Sequence, residues 1–358
     1  MARVGLVFGG RSVEHRVSVD SARTVAKGLA EAGHEVVPLG IAGDGGWVEP
    51  AAGRRALDGG VDEIPAPGGP VAPTLRRLLD AAPEVVFPLV HGTWGEDGTL
   101  QGLLEMLDLP YVGAGVTASA LAMDKVAAKR SLEAAGVPVV EYAAVRRDEV
   151  EADPAAAAAA GLPGHDGPFF VKPSVGGSSV GVRRVADRNG LAEAVRFALR
   201  FDDAVLVERA VRGRELECAV LGYRELEASE VGEVVPGNEF YDYEDKYLSD
   251  GAKLIAPAEL RPAVRDRIRS LAVEAFAAIG GVGLARVDFL LEGDRPFVNE
   301  INTLPGFTRI SMYPRLWDLS GVPLPELVDR LVAIAFERHR DRRRLDEGIK
   351  EFLASLAG

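Results

Sequence analysis

Runs of apolar residues with two different periods divide the chain into elements. Val4-Gly5-Leu6-Val7-Phe8 is a continuous apolar run that predicts a buried strand ending at Gly9-Gly10. After Ser18, a helical spacing puts Val19, Ala22, Val25 and Leu29 on one side and stops near Gly33. Further strands are predicted at Glu35–Ile41 and Glu84–Val90. This alternation predicts a parallel sheet, whose ligands gather at the carboxyl ends of the strands. The stretch Gly43–Pro73, rich in Gly, Pro and Ala, is expected to be an irregular surface excursion. A very short strand at Tyr111-Val112 precedes a helix over Ser119–Ala135, and Asp153–Gly161 has the signals of a short capped helix. Phe169–Val182 is strand, glycine-serine loop and strand, and Val205–Val211 is another strand, with Gly213-Arg214-Glu215 opening the next. Amphipathic helices follow at Arg261–Ile279 and Leu324–His339.

Between those two helices lies a predicted β-hairpin. Arg286–Leu291 is one strand, Glu292-Gly293-Asp294 the turn and Pro296–Asn302 the return. Side chains alternate across a strand, so Arg286 and Asp288 share one face and Glu300 and Asn302 share another. If those faces coincide, two carboxylates and an amide oxygen converge beside a guanidinium. Hard oxygen donors of this kind suit Mg²⁺ together with substrate phosphates. The plainer reading is a hairpin with one solvated face. Its run into the apolar Thr303-Leu304-Pro305-Gly306-Phe307 turn argues against that.

Composition narrows the class. With 358 residues, 47% hydrophobic and 27% charged, the chain is long enough for two or three globular domains. A net charge of −13 argues against a nucleic-acid partner. The basic run His339–Arg344 is best explained as the solvated face of a charged helix. The single cysteine, Cys218, precludes an internal disulfide and alternates with core positions. No apolar run is long enough to span a membrane, and the chain starts directly on a strand, which points to the cytoplasm.

Further stretches carry candidate chemistry. Gly9–His15 and His91–Gly98 lie at predicted strand ends, each with His and Glu, and together suggest a shared ligand site. Gly113-Ala114-Gly115-Val116-Thr117-Ala118 fits a dinucleotide fingerprint but stands about a hundred residues into the chain, behind a minimal strand, so it is treated as a glycine turn. Lys125 and Lys129, one turn apart, are expected on a helix surface. Lys172, between Val171 and Pro173, precedes Gly176-Gly177-Ser178-Ser179, a loop rich in backbone donors that can cradle phosphates. Beyond Val205–Val211 an adenine would find apolar walls, with Glu215 near a ribose. Pro236–Gly251 has no period but four aromatics among many charges, and suggests a lid over substrate.

Six matches in order carry a family resemblance. They are FGGRSVEHRVS at 8–18, HGTWGEDGTLQGLLE at 91–105, YVGAGVTASALAMDK at 111–125, FVKPSVGGSSVGV at 170–182, FYDYEDKYLSD at 240–250 and the stretch 283–314. The chain resembles the ATP-grasp superfamily, and within it the D-alanine–D-alanine ligases, from Val4 to about His339. The resemblance implies an α/β protein of three-domain ATP-grasp architecture. Its parts would be a parallel α/β domain at 1–115, a central subdomain with the phosphate flap at 116–207, and a C-terminal subdomain at 208–358. The last two would be α+β and sandwich ATP.

It also implies roles. Asp288, Glu300 and Asn302 would bind two Mg²⁺, with Mn²⁺ as a substitute and a monovalent cation as an accessory. Lys125, Lys172, Gly177, Ser178 and Ser179 would hold phosphates. Glu208, Arg209 and Val211 would line the adenine pocket, Glu215 would bind ribose, and Asn299 and Lys246 would also belong to the nucleotide site. Glu14, supported by Ser178 and Tyr247, would hold the amine of the first D-alanine, with His91 orienting that site. Ser311 and Lys246 would take the second carboxylate, beside Met312. Arg286 and the Gly306 N–H would stabilise the oxyanion. The implied enzyme is a homodimer acting on D-alanine and ATP, away from membrane and nucleic acid. D-alanine–D-lactate ligases carry a histidine where Tyr247 stands. D-serine as second substrate is an alternative within the class. A homologue that binds nucleotide without catalysis is the alternative outside it; it would be expected to lack a metal ligand or a phosphate lysine, and this chain lacks neither.

Overall fold

The computed structural model describes residues 1–65, 72–236 and 253–356. The proposed lid at Phe240–Gly251, with Lys246 and Tyr247, lies outside the described residues.

The N-terminal part is a parallel three-stranded sheet. Strand β1 (Arg3–Gly9) is central, between β2 (Glu35–Ile41) and β3 (Val85–Leu89), with Val4 opposite both Val36 and Val85. Its side chains feed two cores: Leu6 and Phe8 enter one, Val7 the other. Burial on both faces explains why β1 is an unbroken apolar run. Helix α1 (His15–Glu31) buries Val19, Ala22, Val25 and Leu29 as its spacing predicts. At Gly28 it passes so close to the C-terminal helix that a Cβ would stand 2.9 Å from Leu324.

Two antiparallel sheets make up the rest. Strands β4 (Tyr142–Arg146), β5 (Phe169–Pro173), β6 (Arg183–Val185) and β7 (Ala204–Arg209) form one, in the order β4-β7-β5-β6. Strands β8 (Arg214–Gly222), β9 (Leu226–Val235), β10 (Lys253–Ile255), β11 (Gly283–Glu292) and β12 (Arg295–Asn302) form the other, in the order β10-β9-β8-β11-β12. The helix Pro262–Ala278 packs Ile268, Leu271, Ala275 and Phe276 onto its apolar face, where Cys218, Val287 and Phe289 are buried.

Several elements differ from the expectations above. Residues 119–135 form two helices rather than one. A first helix, Val116–Met123, stops at Asp124, whose extended backbone and side chain cap a second, Lys125–Ala134, by accepting from Val126 N and Ala127 N. A carboxylate placed to accept from free helical N–H groups starts a new helix even inside a helix-forming stretch. The excursion 43–73 contains a helix, Pro50–Leu57, and buries Trp47 and Ile64. The last helix runs from Leu324 to Leu356; its last buried residue is Ala335, but Arg338 stacks 4.0 Å from the Tyr111 ring centroid and Arg343 pairs with Asp108. Strand β7 runs on to Arg209, across the expected domain limit at 207. The fingerprint at 113–118 is accounted for by packing: Gly113 has φ +99, and a Cβ on Gly283 would come within 2.9 Å of its Cα.

Candidate active site

The hairpin register decides the site. Asp288 pairs with Glu300 and Arg286 with Asn302, so the two polar faces coincide. On the other side Asp288 pairs with Glu217 of β8, a residue that the sequence reading did not single out. A register shift between Asp288 and Phe289 places an additional residue in β12. Because of this bulge Asn299 and Glu300, though consecutive, are both half-buried, while Val298 and Ile301 are in the core. Strict alternation would send one of the two inward. The turn is shorter than expected, since Glu292 and Arg295 still pair.

Arg286 is the hub of this wall. Its Nε and Nη2 donate to the two oxygens of Asp288, both at 2.7 Å, and Nε lies 3.3 Å from Glu217. Burial works against the guanidinium, yet Asp288 and Glu217 hold its pKa well above the usual arginine value.

The opposite wall has the reverse composition. Glu208 on β7 is 3% exposed and stands between two ammonium groups. Lys129 Nζ is 2.6 Å from one oxygen, and Lys172 Nζ is 2.5 Å from the other. Burial alone would raise the Glu208 carboxyl, but Lys172 and Lys129 outweigh it and bring it down to about 2. Lys129, expected on the surface, is 1% exposed. The helix that starts at Asp124 carries Lys129 against Glu208, a pairing that spacing alone did not reveal. Lys172 also donates to Asn299 Oδ1 across the cleft at 3.3 Å.

The glycine-serine flap joins the walls. Ser178 and Ser179 both have left-handed backbones, with φ of 53 and 59. Gly176 has φ +135, where an L side chain is strained. Lys125 Nζ donates to Gly176 O at 2.6 Å, and its backbone N–H donates to Ser174 O, so the second helix is latched to the flap. A Cβ on Gly177 would be 3.8 Å from Glu14 Oε2, which brings the flap to the N-terminal loops.

Those loops converge as their composition suggested. His91 Nδ1 donates to Leu304 O at 3.0 Å and its Nε2 accepts from Ser21 at 3.1 Å; Ser21 also accepts from Phe307 N. The loop thereby fixes the turn that carries Gly306. Glu96, another residue without an assigned role, lies 3.5 Å from His91. Burial raises the Glu96 carboxyl; it opposes the His91 cation, but Glu96 and Glu14 raise His91 above its ordinary value. Ser311 Oγ accepts from Thr308 N at 3.0 Å and stands where a Cβ on Gly306 would touch it, at 2.9 Å.

All of this encloses a cavity of about 790 Å³. Its wall includes Glu14, His91, Lys125, Lys172, Gly177, Ser178, Ser179, Glu208, Arg209, Glu215, Arg286, Asp288, Asn299, Glu300, Asn302, Gly306, Ser311 and Met312, with Val140, Phe170 and Leu216 as apolar lining. Val211 is not part of the wall among the described residues. The Arg209 side chain pairs with Glu141 and Glu292, and the Glu208 carboxylate is committed to the lysines, so each has a structural task besides any adenine contact. Met312 is 3% exposed and packs in the core.

Two antiparallel sheets that face each other across a cleft, lysines and flap on one side and carboxylates on the other, define an ATP-grasp ligase. Family models described as D-ala D-ala ligase N-terminus and C-terminus match residues 3–114 and 131–333. The chain is 43% identical to the D-alanine–D-alanine ligase of Halothermothrix orenii over 94% of its length and 98% of that protein's. It is 45% identical to that of Mycolicibacterium vanbaalenii, over 94% and 97%. Among solved structures, the D-alanine–D-alanine ligase of Coxiella burnetii superimposes with a TM-score of 0.80 at 34% identity, covering 98% of each chain. The VanG D-Ala:D-Ser ligase of Enterococcus faecalis gives 0.78 at 30%, covering 93% and 99%. The chain belongs to the D-alanine–D-alanine ligase family.

Proposed function

We propose that this chain joins two D-alanines into D-alanyl-D-alanine through an acyl phosphate, converting ATP to ADP and phosphate, for peptidoglycan precursor synthesis. The observation that carries this reading is the pairing of oppositely charged walls across one cavity, closed by the flap that touches both Lys125 and the Glu14 loop. A carboxylate is a poor electrophile until phosphorylated, and phosphoryl transfer needs mainly positioning and neutralisation of charge.

The parts fall to named residues. Lys125, Lys172 and the Gly176–Ser179 flap hold the phosphates, and Glu215 the ribose. Adenine lies beside Phe170 and Leu216, next to the backbone after Glu208. Glu14 holds the first amine, close to the His91–Glu96 pair. The first carboxylate attacks the γ-phosphate. The second D-alanine, its carboxylate near Ser311 and Lys246, attacks the acyl carbon with its amine, and Arg286 and the Gly306 N–H receive the developing oxyanion. Tyr247 supports the first site on the family resemblance alone.

The donor set fits Mg²⁺. Asp288 and Glu300 face each other in register, and Asn302 adds an amide oxygen that already accepts from Leu304 N. When bound there, Mg²⁺ supplies positive charge to the phosphate oxygens. In this reading residues 1–115 carry the first-substrate loops, 116–207 the flap, and 208–358 the carboxylate wall. The homodimer, Mn²⁺ as a substitute and an accessory monovalent cation rest on the resemblance; sedimentation and metal replacement test them. No helix among the described residues is long and apolar enough to cross a membrane. We place the reaction in the cytoplasm, with its ATP.

The test is incubation with ATP, Mg²⁺, D-alanine, D-serine and D-lactate together, with products identified by mass. Dipeptide of D-alanine and D-alanine-dependent phosphate release are expected. Mostly D-alanyl-D-lactate or D-alanyl-D-serine would replace the assignment of the second substrate, and nucleotide binding without phosphate release would replace the enzyme by a binding protein.

A further inference from the structure

Lys129 has no part in the reaction described above, yet it is among the most deeply buried charged groups of the molecule. It is 1% exposed and does not line the cavity. Besides Glu208 at 2.6 Å it has Val140 O at 3.5 Å and the Tyr142 ring centroid at 5.4 Å. One carboxylate therefore carries two buried cations, where neutrality needs one. Burying an ammonium is costly, and a second one around the same anion would more cheaply be an apolar side chain.

We propose that Lys129 is a positioning residue: it is the counter-charge that stays on Glu208 when Lys172 turns to the polyphosphate of ATP. The inference rests on the reading of Lys172 as a phosphate-binding lysine. Lys172 cannot serve a phosphate fully while it is the sole partner of a buried carboxylate, because its departure would strand that anion. Lys129 removes this conflict. It occupies the other oxygen, Oε1, and reaches it from the second helix rather than from a strand of the cleft. Lys172 occupies Oε2, lines the cavity and already reaches Asn299 on the far wall. The two lysines thus divide the carboxylate into a permanent contact and a releasable one. Burial lowers the pKa of Lys129 despite Glu208, whereas Glu208 leaves that of Lys172 raised against its own burial.

The experiment is a double-mutant cycle on the full chain. ATP affinity is read by direct titration, and KM for ATP, KM for D-alanine and kcat by phosphate release. Lys129→Met should weaken ATP by about tenfold, equivalent to ~1.4 kcal/mol, with KM for D-alanine little changed. On a Glu208→Gln background the same change should cost no more than about twofold, since no anion is left to compensate. Gln keeps an acceptor oxygen at that position, so it isolates the charge. An equal factor in both backgrounds overturns the proposal, and so does a lower melting temperature with ATP affinity intact, the mark of a packing role. Should Lys129→Met not fold, Lys129→Gln in both backgrounds gives the same comparison. A parent chain that binds ATP but makes no dipeptide would sink the proposed function and leave this cycle readable.

Discussion

The two walls of the cleft solve one electrostatic problem with opposite signs. On the β5–β7 side a carboxylate lies between two ammonium groups, Lys129 and Lys172. On the β8–β11 side a guanidinium lies between two carboxylates, Glu217 and Asp288. In each, a charge out of water has one counter-ion more than neutrality requires. The first wall keeps a surplus of positive charge and suits phosphate oxygens. The second keeps a surplus of negative charge, increased by Glu300, and suits a metal cation. The sign of the excess, rather than the presence of an ion pair, shows which part of the ligand a buried cluster is built to meet. A balanced buried pair would be weak evidence for either.

If the comparison is right, damage to the negative wall should be the most severe. Glu300→Ala should lower turnover by about a thousandfold, the upper range for losing one electrostatic contact to the transition state. Circular dichroism and melting should match the parent. Near-parental phosphate release at saturating Mg²⁺ would break the assignment of this wall to metal.

The positive wall should show a smaller loss, concentrated on the nucleotide. Lys172→Met should reduce kcat/KM for ATP by about a hundredfold, with KM for D-alanine nearly constant. Initial rates over crossed concentrations of both substrates separate these. An equal loss for D-alanine would blur the distinction between walls.

The positive wall should also show in the pH dependence of stability. The folded pKa of Glu208 is depressed, from 4.5 to about 2. Its contribution is therefore fully present above the unfolded value and is lost as pH falls from about 4.5 toward 2. Denaturant melts at several acid pH values should show the parent losing part of its advantage over Glu208→Gln within that window. A gap that is constant with pH would mean that the lysines do not hold the carboxylate ionised.

The smallest effect concerns a choice made by neither wall. Tyr247→His should shift part of the product from dipeptide toward D-alanyl-D-lactate as pH falls below the histidine pKa, ordinarily about 6.5. Kinetic constants for ATP should change little. Competition between equal D-alanine and D-lactate from pH 6 to 9, with products counted by mass, measures it. Unchanged product ratios would mean that Tyr247 does not bias the choice of second substrate.

Much of the fold was legible because local pattern and burial agree. The β1 run, the four inward positions of α1 and the alternation of Arg286, Asp288 and Leu290 against Val287, Phe289 and Leu291 all follow from a single period. The helix break at Asp124 was not legible. A lone aspartate in a helix-forming stretch is ordinary; here it accepts from Val126 N and Ala127 N and is also held by Ser174, just after β5, which donates to it at 2.5 Å. The last helix is longer than the expected Leu324–His339. Its final turns keep a helical spacing of apolar residues at Leu345, Ile349, Phe352, Leu353 and Leu356, but all of these are exposed, so the period marks a helix without marking a core.

The order of amino acids was enough to mark which residues could carry the chemistry. The places of most strands along the chain, the shared face of Arg286 and Asp288, and the glycine-serine flap are set by local spacing and backbone preference, which act over a few residues. Which of those residues are charged against one another was settled only in three dimensions. Lys129 and Glu208 are 79 positions apart, and Glu217 and Arg286 are 69 apart. Nothing in either neighbourhood announces the partner, because a lysine on a helix and a glutamate on a strand are usually solvated. Their pairing follows from the helix break at Asp124 and from the antiparallel register of the second sheet. Burial then turns those ordinary charges into two fixed and opposite fields, since removal from water strengthens every remaining interaction.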